Sequence, residues 1–144
     1  MWLPGWSKTA GRWHPAVGKT EFRFAVFVLT ALAGVAAWLA TVQGKASFGA
    51  YLVAGYALAM LLNVLFPHLL ATLVLRRYMP GTATALLFIL PVTAGLIMLG
   101  VRDNYIEART FLIYGPLVVL GIIALIPVLF RIGRRWSAAI GRAA

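Results

Sequence analysis

Cysteine is absent from the 144-residue chain, which excludes disulfides, thiolate metal sites and cysteine nucleophiles. Acid is scarce as well: three Asp and Glu stand against thirteen Lys and Arg, a formal charge of +10. Charged residues of both signs make up 11% of the chain and hydrophobic ones 62%, against about a quarter and about half in a soluble domain. A soluble fold cannot hide so much apolar surface, so the excess faces lipid. Without a carboxylate inside any long apolar run, paired-carboxylate acid–base chemistry has no residues to use. A catalytic zinc or di-iron site lacks the three or more ligands it needs. Ser7, Ser47 and Ser137 all lie outside the apolar runs, so a serine triad is missing too. No metal and no cofactor are expected, and the reading leans away from an enzyme.

What is present is basic charge in particular places. On a soluble protein, +10 would raise nucleic-acid binding. Here the basic residues stand at the ends of apolar runs, the pattern of contact with anionic lipid head groups. No nucleic-acid partner is expected. Residues 1–23 are basic and broken by Pro4, Gly5, Gly11 and Pro15, and they carry Trp2, Trp6 and Trp13. Indole rings favour the head-group layer, so this segment reads as an interfacial collar with His14 solvated in it. It has no apolar core of signal-peptide length; insertion is expected through the first spanning helix, with nothing removed.

Four long apolar runs follow, at about 24–42, 48–76, 82–101 and 110–131; three are near the ~20 residues that cross a bilayer core, and the second is longer, so it is expected to tilt, kink or run its last turns into the interface. The expected fold is an all-α membrane protein, a bundle of four transmembrane helices over 24–131, closed by a basic tail at 132–144 with Trp136 as an interfacial anchor. Ala33, Gly34, Ala37 and Ala40 in the first run let a neighbouring backbone come close. In the second, Ala50 with Ala54 and Gly55 with Ala59 do the same. Ten of the thirteen basic residues fall in the two tails and the second loop, and three (Lys45, Arg102, Arg109) on the other side. The positive-inside rule then places both termini in the cytoplasm, in an inner (plasma) membrane. The two halves show no convincing repeat.

The stretch Phe48 to Gly81 organises the chain. It holds the polar residues found deep in a span, Asn63 and His68, and Pro67 between them. Proline removes a backbone donor and clashes with the preceding turn, so a kink at Pro67 is expected. In a straight helix Asn63 and His68 would stand about 140° apart; a widened turn at the proline would swing them closer. The functional reading is a small intramembrane polar site in which His68 moves a proton or meets a head group. The structural reading is that Asn63 bonds to a neighbouring helix and His68 packs neutral. Arg76, Arg77 and Tyr78 end the run as helix anchors or as contacts to a head group or phosphate. Asp103 and Glu107 are read as partners of Arg102 and Arg109 that cap the fourth helix.

The run Asn63…His68, then Arg76-Arg77-Tyr78-Met79-Pro80-Gly81-Thr82, followed by Pro91 in the next helix, resembles the bacterial HXXEE-motif membrane proteins. The likeness spans roughly residues 24–131. It implies a small four-helix integral membrane protein with no established activity. The naming His-x-x-Glu-Glu occurs nowhere here, so of the polar positions only Asn63 and His68 carry over.

Function then divides into three expectations. The first is a non-catalytic subunit that packs against a membrane-protein partner or against itself. The second is a lipid-handling protein or enzyme with its site at Asn63 and His68. The third, a small exporter, is weaker because no span holds the carboxylate that proton coupling needs.

Overall fold

The structure, a computed structural model, describes residues 18–66 and 82–140. The described residues are helical with short connections, and four helices are long and apolar enough to cross a membrane. They are α1 (Lys19–Gln43), α2 (Phe48–Asn63), α3 (Thr82–Arg102) and α4 (Ala108–Ile140). The expected four-helix membrane architecture is thus present. Two bounds differ from expectation. α1 begins at Lys19, within the segment read as a collar, and α4 runs on through 132–140, the stretch read as a tail. Both extensions carry charge (Lys19, Glu21 and Arg23; Arg134 and Arg135), and a helix can continue past the hydrocarbon core where its side chains reach water. The collar tryptophans Trp2, Trp6 and Trp13 lie outside the described residues.

The helix ends follow from local chemistry. Gly18 N–H donates to Glu21 Oε2 at 3.0 Å, closing the first turn of α1. At the other end Gly44 takes φ +75°, and its N–H donates to the Ala40 carbonyl at 3.0 Å. That is a left-handed helix stop, which glycine adopts without a Cβ penalty. Three residues later Ser47 Oγ accepts from Ala50 N–H at 3.2 Å, and Gln43 Oε1 accepts from Gly49 N–H at 2.9 Å. Two of the four orphan donors at the start of α2 are satisfied in this way.

By contacts the chain divides into two units, 1–30 with 125–144 and 31–124. In the second unit α2 is the central helix: 44% of its spanning window is buried, against 6% of that of α3. Small residues make this feasible. A Cβ on Gly49 would sit 2.5 Å from the Ala40 nitrogen of α1, and one on Gly55 2.6 Å from Val118 Cβ of α4. Ala50, Tyr51 and Ala54 bury with Ile106 of the α3–α4 loop, and Val101, Tyr105 and Phe111 pack around them. The small-xxx-small faces expected on α2 therefore point inward. In the first unit the start of α1 meets the end of α4. Phe24 and Trp136 lie 5.6 Å apart, ring centre to ring centre, and a Cβ on Gly133 would come 3.1 Å from Glu21 Cα.

Candidate functional site

Among the described residues Thr82 and Thr93 of α3 are buried polar side chains, and two helix ends hold further polar groups. The first is the end at which the α1–α2 turn meets the α3–α4 loop. α3 stops at Arg102, and Asn104 adopts φ 54°, a left-handed position that asparagine tolerates better than most residues. The chain then folds back: Tyr105 and Ile106 N–H both donate to the Gly100 carbonyl, at 2.8 and 3.0 Å. That reversal presents the Tyr105 carbonyl to Ala46 N–H at 2.9 Å. Tyr105 Oη donates to the Ala40 carbonyl at 2.6 Å, and Lys45 Nζ to the Asp103 carbonyl at 3.1 Å. Tyr51 Oη, from α2, accepts the Glu107 N–H at 3.1 Å. Two of these bonds join the two connections directly, and the other two tie the α3–α4 loop to α1 and α2 at the same end of unit two.

The charges of this loop arrange themselves only in part as expected. Arg102 Nε and Asp103 Oδ1 approach to 3.5 Å, with both side chains more than half exposed, so the pair adds little stability. Glu107 does not pair with Arg109 among the described residues. Its Oε2 accepts the Thr110 hydroxyl at 2.7 Å, directly before the first turn of α4, where a carboxylate is favoured by the helix dipole. Beside it Tyr51 and Tyr114 stack at 5.6 Å with 28° between their planes. Phe48, Tyr51, Glu107, Thr110 and Tyr114 wall an open cleft of about 380 Å³. A second cleft of about 350 Å³ lies between α2 and α3, lined by Val53, Ala54, Leu96 and Leu99 with Asp103 at its edge. Reasoning from the sequence missed Tyr51, Tyr105 and Tyr114. The available signal was that Tyr105 lies in the loop that carries Asp103 and Glu107, Tyr114 soon after it, and Tyr51 just past the other short connection.

The second place is the end of α2. Asn63 is its last residue and stands exposed. Residues 64–66 widen into a π-type turn, and Val64, fully buried, directs its N–H at the carbonyls of Met60 and Leu61. The expected partner His68, the kink proline Pro67 and the cluster Arg76, Arg77 and Tyr78 lie outside the described residues. Trp136, expected as an anchor, is 57% exposed while one face meets Phe24. Among the described residues no three His, Asp or Glu side chains come together as a metal site.

A family model described as "Protein of unknown function with HXXEE motif" matches residues 1–96. The match is made without a His-x-x-Glu-Glu in this chain. The uncharacterized protein YrkK of Bacillus subtilis (strain 168) is 34% identical over 137 residues, which cover 95% of this chain and 87% of that relative. No solved structure matches.

Proposed function

The chain belongs to the HXXEE-motif family, and from that membership and the helix geometry we propose that it is a multi-pass protein of a bacterial inner (plasma) membrane whose role is to pack, without catalysis, against a membrane-protein partner or a second copy of itself. Both termini lie in the cytoplasm in this reading, and anionic lipid surrounds the basic helix ends.

The observation that carries the reading is the outer face of α1. Gly34 and Ala37 are exposed, and among the described residues nothing comes within 4 Å of a Cβ built on Gly34. Ala36 and Ala40 of the same helix are buried within the chain. The helix therefore has small residues on an inner face that are used and small residues on an outer face that are not. In lipid, where apolar burial gives no drive, close backbone approach at small residues is what holds helices together. Native mass spectrometry of the protein released gently from its own membrane tests the proposal. A stoichiometric protein partner or a defined self-oligomer, lost in Gly34→Leu, is the expected result. A monomer unaffected by that substitution would overturn it.

A second reading, a lipid-handling site at Asn63 and His68 with Arg76 and Arg77 on the head group, is favoured by one feature. Asn63 is exposed on an otherwise apolar helix at a widened turn, and an amide at that depth requires a polar partner. His68→Ala that leaves expression and folding intact but removes a co-purifying lipid would move the assignment there.

A further inference from the structure

The chain carries thirteen basic residues and three acidic ones, yet the cleft of about 380 Å³ at the head of α2 and α4 has the opposite sign. Its lining is Ala46, Phe48, Tyr51, Glu107, Thr110 and Tyr114; the one formal charge among these is the Glu107 carboxylate. Glu107 Oε2 is engaged by the Thr110 hydroxyl, and that bond holds the carboxylate at the cleft. No other hydrogen bond or ion pair occupies the carboxylate among the described residues. Tyr51 is held from both sides: its Oη accepts Glu107 N–H at 3.1 Å, and its ring stacks on Tyr114 at 5.6 Å. Phe48 and Tyr114 remain largely exposed at 64% and 46%.

An anion is poorly served by such a lining, because the carboxylate repels it and no lysine or arginine shares the cleft. An apolar chain would leave the carboxylate unmatched. A compact organic cation satisfies every wall at once. Its charge pairs with Glu107, and its C–H groups lie on electron-rich ring faces, which attract a cation placed within about 6 Å of the centroid. The position adds a further constraint. The cleft opens where two helices long and apolar enough to span begin, so in the four-span reading it faces the head-group end of both.

We propose that the Tyr51–Tyr114–Phe48–Glu107 cleft binds an ammonium group, carried either by a lipid head group or by a free organic amine. The Glu107 carboxylate supplies the charge contact and the exposed rings of Phe48 and Tyr114 the aromatic surface, with Tyr51 stacked behind Tyr114. Thr110 acts as a positioning residue that holds the carboxylate toward the rings. This inference goes beyond the packing role and stands independently of it.

The test is binding of defined probes to the full chain in non-ionic detergent, read by native mass spectrometry and isothermal titration. The probes are phosphatidylethanolamine, phosphatidylglycerol with the same acyl chains, and free ethanolamine and tetramethylammonium. The expected result is that phosphatidylethanolamine binds at least ten-fold more tightly than phosphatidylglycerol, or that the free amines bind saturably. The first outcome assigns the head group and the second a soluble amine. Glu107→Gln, which keeps an oxygen for Thr110 to bond, weakens the amine probe ten-fold or more. Tyr114→Leu, which preserves apolar volume but removes the ring, weakens it several-fold, and circular dichroism confirms that both variants are folded. Equal binding of the two phospholipids with no binding of either free amine overturns the proposal. So does an unchanged affinity in folded Glu107→Gln.

Discussion

Tyr51 shows how much of this protein rests on single side chains at the connected end. It is 7% exposed and holds the backbone of the α3–α4 loop through one hydroxyl. Tyr51→Phe removes that acceptor and leaves the Glu107 N–H without its partner. A loss of about 0.5–1.5 kcal/mol is expected, the net worth of one hydrogen bond whose donor water can reach, measured as denaturant unfolding in detergent. The glycines give a paired prediction of opposite sign. Gly49→Ala places a methyl against the backbone of Leu39 and Ala40, and overpacking of that kind costs about 1–3 kcal/mol. Gly34→Ala meets open space and gains helix propensity of up to about 1 kcal/mol, so the unfolding midpoint of that variant holds or rises. Equal behaviour of the two variants would contradict the helix contacts described here.

At the scale of elements, the informative feature is the pair of widened turns, 64–66 before Pro67 and Ala85–Ile89 before Pro91. In the second, Leu90 N–H reaches back to the Ala85 carbonyl, one residue further than a regular helix allows. Pro91 has no N–H to offer and its ring crowds the carbonyl of Leu87. Thr93 Oγ1 donates to the Ile89 carbonyl at 2.7 Å, the back-bond of a helical threonine to the turn before it. Pro91→Ala restores a donor, and the expected outcome is a regular helix with slower amide hydrogen exchange across 85–90. The same logic applies to the helix start at Ser47. Ser47→Ala removes the bond to Ala50 N–H and costs about 1 kcal/mol, as helix caps do, visible as faster exchange in the first turn of α2. Much of this scale was legible in advance. Pro91 marked the third run as proline-interrupted without indicating the wide turn before it, and the kink expected at Pro67 lies outside the described residues. Which carbonyls a proline leaves orphaned, and which side chain answers them, depends on geometry that composition does not carry.

For the whole molecule, the hydrogen bonds of Ala46 to Tyr105 and of Lys45 to Asp103 put the first and third connections at one end. The basic residues of those connections, Lys45, Arg102 and Arg109, are the minority set in the positive-inside count. The proposed orientation therefore has a direct check, made easy by the absence of native cysteine. Single cysteines at Lys45 and Asn104 react with an impermeant maleimide on intact cells, and one at Ser137 reacts only after permeabilisation. The reverse pattern would invert the topology.

Sequence alone determined that the chain belongs in a membrane, because 62% hydrophobic residues exceed what any soluble core can bury, and that four of its runs are long and apolar enough to cross one, because run length is set by bilayer thickness. It also marked the small residues along α1 and α2. Tertiary structure decided which of them are used: Gly49 and Gly55 are filled by neighbours, and Gly34 is not. It decided too that Glu107 turns to Thr110 and the tyrosine pair rather than to Arg109. Apolar periodicity and charge counts are properties of one segment at a time. The meeting of Tyr51, Glu107 and Tyr114 depends on a loop reversal at Gly100 and Asn104 that brings segments more than fifty residues apart into hydrogen-bonding distance.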